Sequence, residues 1–185
     1  MRTLKIAGIC GSLRKDSYNK KLLQAAADLL PEGMELLMVG FDTIPLYNED
    51  LDTPNAIPPE IVTAFRTALA DADGLLIVSP EYNYSIPGGL KNALDWASRG
   101  KESPLKGKPV SLMGATPGAW GTVRMQLAFL PFFRLFDMKL VMQPEILVAQ
   151  VHTKFDEKGN FTDEMAKKFI RQNLENLKNQ IKSLE

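Results

Sequence analysis

Two loops carry side chains from which a binding site could be assembled. The first reads Gly11-Ser12-Leu13-Arg14-Lys15-Asp16-Ser17-Tyr18-Asn19, between a short apolar run and an amphipathic segment of helical spacing. A helix N-terminus presents unpaired N–H groups and the positive end of its dipole, and hydroxyls plus one guanidinium add directed donors. Ser12, Arg14, Ser17 and Asn19 are of the right types to hold a phosphate dianion. The spacing matches neither the Gly-x-Gly-x-x-Gly pattern nor the Walker pattern, so a monophosphate fits better than a pyrophosphate or triphosphate. The plainer alternative makes Ser17 an N-cap and Arg14 a solvated charge.

The second loop is Ser79-Pro80-Glu81-Tyr82-Asn83-Tyr84-Ser85-Ile86-Pro87-Gly88-Gly89-Leu90-Lys91-Asn92. Its tyrosines and prolines make a stiff edge whose backbone can face a flat heterocycle, which suits an isoalloxazine. Tyrosines that merely cover the core are the competing account. A third segment, Gly114-Ala115-Thr116-Pro117-Gly118-Ala119-Trp120-Gly121, lets backbone approach a ligand closely and offers the Thr116 hydroxyl, or is an ordinary Gly/Pro turn.

The elements around these loops read as alternating strand and helix. Leu4 to Ile9 is a strand, and Leu22, Ala26, Leu29 and Leu30 mark the first helix. Met34 to Val39 is a second strand, and Phe41 to Asn55 a loop. A helix starts at Pro58-Pro59-Glu60, with Ile61, Phe65, Ala68, Leu69 and Ala72 on its stripe and Gly74 at its end. Leu75 to Val78 is apolar without alternation, as a strand covered on both faces requires. A helix follows from about Gly88 to Ser98, then a strand near Val110 to Met113. The segment from Val123 to Phe136 is long and apolar, its Phe129 to Phe136 stretch is apolar around its whole circumference, and Pro131 should kink or interrupt it. A last strand lies within Leu140 to Val148, and Thr162 caps a terminal helix with Asp163 and Glu164 in its first turn and Ile170, Leu174, Leu177, Ile181 and Leu184 on one face. Five strands with right-handed crossovers predict an open doubly wound α/β fold: a parallel sheet in order 2-1-3-4-5 with helices on both faces. The winding reverses between the first and third strands, so the first two loops should share one site.

Composition narrows the chemistry. The 185 residues, 45% of them hydrophobic, suffice for one domain spanning 1–185. Lys plus Arg and Asp plus Glu each total 22, which selects for neither nucleic acid nor an anionic membrane. One cysteine, Cys10, excludes a Cys-pair motif, and one histidine, His152, leaves no cluster for a metal. The N-terminus from Met1 lacks an apolar leader, so a cytoplasmic location is expected.

The first two motifs, the second continued through Ala93-Leu94-Asp95-Trp96, together resemble the NADPH-dependent FMN reductase family, and most of all its quinone and chromate reductase members. The likeness extends from Leu4 to about Leu184. It implies a flavodoxin-like three-layer sandwich, bound FMN, NADPH or NADH as donor, a small acceptor (quinone, flavin, azo compound or chromate), and a homodimer or homotetramer. Carried over position by position, Gly11, Ser12, Leu13, Arg14, Lys15, Ser17, Tyr18 and Asn19 surround the phosphate. Pro80, Glu81, Tyr82, Asn83 and Tyr84 border the ring, with Thr116 and Gly118 near it. Hydride passes through the flavin, so no protein side chain is expected to act as a catalytic acid, base or nucleophile. Donor and acceptor sharing one shelf predicts ping-pong kinetics. Trp120 and Leu127 depart from the smaller residue and the tyrosine that relatives carry there. The Phe129 to Phe136 stretch is expected to lie in a subunit interface, or else in the core of one chain, and Arg124 and Glu145 to pair across that interface or to face the substrate. A flavodoxin-like electron carrier is the alternative, although such carriers are strongly acidic and this chain is formally neutral.

Overall fold

The computed structural model describes residues 2–53, 55–100 and 102–184. Met1, where the leader reading began, lies outside them. The sheet is built about β3 (Gly74–Val78), whose five residues are all buried. A strand apolar on both faces needs a sheet covered on both sides. β3 pairs in parallel with β1 (Leu4–Cys10) and with β4 (Pro109–Ala115). With β2 (Met34–Met38) beside β1 and β5 (Lys139–Leu140) beside β4, the order is β2-β1-β3-β4-β5, as expected.

The fifth position differs in one respect. Instead of one strand, β5 pairs with the start of β4 and a separate β6 (Ile146–Val148) pairs with its end, Met113 opposite Ile146. Pro144 lies between the two pieces and has no N–H for a ladder bond, which accounts for the break.

Helices α1 (Tyr18–Ala27) and α5 (Glu164–Lys182) cover one face; α2 (Glu60–Ala70), α3 (Gly88–Ala97) and α4 (Val123–Leu135) cover the other. Successive β3 side chains feed opposite cores, Leu75 and Ile77 joining Phe65, Leu94 and Phe129, and Leu76 and Val78 joining Leu22, Leu174 and Leu177. Full burial of each such side chain stabilises the fold by about 1.5–3 kcal/mol.

Several local expectations are corrected. α1 stops before Leu29 and Leu30. The buried stripe of α2 is Val62, Phe65 and Leu69, while Ile61 faces outward. Asp71 ends that helix, and Gly74 opens β3, where a Cβ would come within 3.3 Å of the Pro109 carbonyl. α4 runs through Pro131 without interruption, with that residue on its exposed side. Asp163, not Thr162, caps α5, accepting from the Ala166 N–H at 3.0 Å, and Leu184 is exposed. Among the described residues no helix is long and apolar enough to cross a membrane.

Candidate functional site

The carboxyl ends of four strands meet in register. Cys10 is opposite Val78, Val78 opposite Met113 and Ala115 opposite Val148. The ladders continue one residue further, Gly11 N–H to the Val78 carbonyl (2.8 Å), Ser79 N–H to Met113 (3.0 Å) and Thr116 N–H to Val148 (3.0 Å). The three candidate loops therefore leave the sheet side by side. Two glycines permit that closeness. A Cβ on Gly11 would lie 2.8 Å from the Ser79 Cβ, and one on Gly114 would run into Thr122 and the Ser79 carbonyl oxygen, 2.6 Å away.

In the β1–α1 loop, Ser12 Oγ accepts from the Arg14 N–H (3.3 Å) and Ser17 Oγ caps α1 by accepting from the Asn19 N–H (3.2 Å). The backbone N–H groups of Leu13, Lys15, Asp16 and Tyr18 take no partner among the described residues. The first turn of α1 holds no acidic residue. A fan of free N–H donors, two hydroxyls, the exposed Arg14 and an unneutralised helix end fit the phosphate of FMN. Asn19 has another task. Its buried amide donates to the Ala115 carbonyl (2.9 Å) while its Oδ1 accepts from the Ala115 N–H (2.8 Å), fastening α1 to the end of β4. Its side chain is thus a clamp beneath the loop.

The β3–α3 loop forms a tight turn. Tyr82 and Ser85 exchange both backbone hydrogen bonds (3.1 and 3.0 Å), and Asn83 and Tyr84 at its tip have φ of +50° and +64°. Paired positive φ values match a type I′ turn, a strained conformation for a tyrosine. Tyr82, Asn83 and Tyr84 are exposed on this turn, while Glu81 points back into the molecule. Its Oε2 accepts from the Arg124 and Met125 N–H groups (2.9 and 3.1 Å), supplying for α4 the cap that Thr122 does not provide. Within one chain Arg124 pairs with Glu81 at 3.6 Å.

Thr116 and Gly118 form the third edge. Thr116 Oγ1 accepts from the Gly118 N–H (3.3 Å), and the two carbonyls accept from Val151 and Gln150. Gln150, at φ +48°, and the fully buried Ser79 and Thr122 are supports that the sequence reading missed. Ser79 stands at the head of the second motif, and no motif marks Gln150, whose N–H reaches Gly118, 32 positions earlier.

On the β2 side of the first loop, Cys10, Arg14, Lys15, Lys20, Phe41 and Asp42 line a cleft of about 330 Å³. Burial pushes the Cys10 thiol above its ordinary range, against the weaker opposing effects of the Ser12 backbone, Ser17 and Lys20. Among the described residues no His, Cys, Asp and Glu side chains group as a metal site would require.

A doubly wound parallel sheet of this order, with a hydroxyl-rich loop after β1, defines a flavodoxin-like protein. The family profile described as NADPH-dependent FMN reductase matches residues 4–153, and the chain belongs to that family. It is 41% identical over 174 residues to an NAD(P)H-dependent FMN reductase of Pseudomonas aeruginosa, covering 94% of this chain and 93% of the relative. Identity to a 2-hydroxy-1,4-benzoquinone reductase of a Burkholderia species is 43% over 169 residues, 91% of each chain. The fold is similar to that of the flavoenzyme NAD(P)H:(acceptor) oxidoreductase FerB of Paracoccus denitrificans, with a TM-score of 0.87, 31% identity and 98% of each chain covered.

Proposed function

We propose that the chain is an FMN-dependent NAD(P)H oxidoreductase whose acceptors are quinones, with free flavin, azo compounds and chromate as further substrates of the same site. The observation that carries this reading is the convergence of a phosphate-type loop and a rigid aromatic turn at the carboxyl ends of β1 and β3, joined by a backbone bond of 2.8 Å from Gly11 to Val78. The names of relatives similar along nearly their whole length support quinone as the acceptor class.

In this reading Ser12, Arg14, Ser17 and the N–H groups of Leu13, Lys15, Asp16 and Tyr18 hold the phosphate, and Gly11 allows the backbone to approach it. Pro80, Tyr82, Asn83 and Tyr84 border the ring on one side, Thr116 and Gly118 on another. Asn19 and Glu81 position these loops from below. Bound FMN supplies the redox chemistry, receiving a hydride from the nicotinamide and returning the electrons to the acceptor. The protein has to hold reacting atoms about 3–3.5 Å apart, and the stiff Tyr82 turn provides a fixed shelf for donor and acceptor in turn.

The protein as isolated should show the visible bands of an oxidised flavin, which bleach on anaerobic addition of NADPH and return with a quinone. A colourless preparation that takes up no FMN in a titration overturns the reading. Double-reciprocal plots for NADPH and quinone should be parallel, and converging lines would replace the ping-pong order by a ternary complex. We further propose a homodimer or homotetramer that covers the exposed strip of Leu127, Leu130 and Met142, residues that line one groove beside β5. Sedimentation as a monomer at micromolar concentration would remove that part alone.

A further inference from the structure

Arg124 lies between two aromatic rings at the rim of the site. Its guanidinium carbon is 4.1 Å from the centre of the Tyr84 ring and 5.9 Å from that of Trp120. Both rings are turned to solvent, Tyr84 70% and Trp120 73% exposed. The second tryptophan of the chain, Trp96, is by contrast fully buried and donates to the Pro45 carbonyl at 2.9 Å. An indole left this open, beside a cation, is a surface with one face unused.

The guanidinium is also under-used. Its one ion pair among the described residues, to Glu81 Oε1, is 3.6 Å long, outside hydrogen-bond distance. The charge of Glu81 is shared with the two helix N–H groups that it caps at 2.9 and 3.1 Å. The backbone that carries these three side chains is held: Tyr84 stands on the Tyr82–Ser85 turn, Arg124 on the first turn of α4, and Trp120 on a loop whose Gly118 carbonyl is tied to the Gln150 N–H at 3.0 Å.

A planar cation with free N–H donors, flanked by two aromatic faces, has the chemistry to take a phosphate and stack a purine. Quinones carry no phosphate, and the flavin phosphate has its own loop at the start of α1. The remaining phosphorylated aromatic molecule that must reach this shelf is the nicotinamide donor. We propose that Arg124, Trp120 and Tyr84 form the subsite for the phosphorylated adenosine end of that donor, and that this group governs donor affinity. The proposal rests on the flavin ring lying at the Tyr82 turn.

The test uses the FMN-loaded protein and the redox-inert probe adenosine 2′,5′-bisphosphate. Saturable quenching of the exposed tryptophan is expected, and Trp120→Phe should abolish that signal because Trp96 is shielded. Loss of one charge-assisted contact of about 1.5–3 kcal/mol in Arg124→Gln should weaken the probe about 10- to 100-fold, and Arg124→Lys should fall between. In steady state the same variants should raise KM for NADPH while kcat stays within about twofold, the signature of lost uniform binding. An increase confined to NADPH marks the 2′-phosphate as the group bound, and an equal increase for NADH marks the pyrophosphate. Unchanged probe affinity and unchanged donor KM in Arg124→Gln would overturn the proposal, as would a Trp120 that acrylamide does not reach in the FMN-loaded protein. FMN titration is run alongside: failure to bind FMN counts against the flavin site, whereas normal FMN binding without probe binding counts against this subsite only.

Discussion

Asn19 shows how one side chain can matter to a ligand that it need not touch. Its amide is both donor and acceptor to Ala115, so truncation leaves two buried backbone groups without partners. Asn19→Ala should cost roughly 2–4 kcal/mol in urea unfolding, since each orphaned buried group costs about 1–3 kcal/mol. FMN affinity should fall with it. If the variant keeps full stability, the clamp is not a structural tie. Cys10 gives a second residue-scale outcome. Because burial first of all raises its pKa, the thiol stays protonated at mildly alkaline pH. Alkylation by iodoacetamide near about pH 8 should therefore be slower than in the urea-unfolded chain and should accelerate only at higher pH. Equal rates in the two states would show that the thiol is not shielded.

At the scale of elements, the site depends on how closely β4 and the start of α4 approach the other loops. Gly114 is where that approach has no slack: an added methyl would meet the buried Thr122 side chain and the Ser79 carbonyl. Gly114→Ala should destabilise by about 2–3 kcal/mol through overpacking, whereas Gly118→Ala, whose Cβ would have only Thr116 Oγ1 at 3.7 Å, should stay within about 0.5 kcal/mol. Thermal or urea unfolding of the pair decides it, and equal effects would refute the close-approach account. The start of α5 carries a pH dependence. The Lys154 ammonium at 2.8 Å and then the Ala166 N–H hold the Asp163 carboxyl below its usual range. A carboxyl with a lowered folded-state pKa adds stability that is present above its unfolded value and is lost as pH falls through the folded one. Asp163→Asn should therefore lower stability at neutral pH and narrow the difference from the parent protein on acidification below the ordinary carboxylate range. A difference that does not change with pH would mean that the charge contributes nothing.

For the whole molecule, the three loops form one connected unit, since each is tied to the next by backbone or capping bonds. A ligand that binds only the folded chain stabilises it by mass action, about 2.7 kcal/mol at a hundredfold excess over Kd. Adding FMN should raise Tm progressively with concentration and slow amide exchange in residues 11–19, 79–85 and 116–121 together. Protection confined to residues 11–19 would show that the ring does not lie at the Tyr82 turn. The exposed apolar strip on α4 belongs to this scale as well, because among the described residues none covers Leu127 and Leu130 fully.

The amino-acid sequence by itself determined the sheet order, the identity of the central strand and the chemical character of the two main loops. Those properties are local: an unbroken Leu75-Leu76-Ile77-Val78 run, helical spacing of apolar residues, and hydroxyls clustered ahead of a helix can each be read within a few residues. What only the tertiary structure decided was the supports. Asn19 meets a partner 96 positions away and Glu81 caps a helix 43 positions on. The fifth strand is split in two, and Arg124 meets Glu81 and Tyr84 of its own chain. Hydrogen-bond partners of buried polar groups are chosen by proximity after the chain has folded, and proximity between distant segments leaves no periodic trace in the residues themselves.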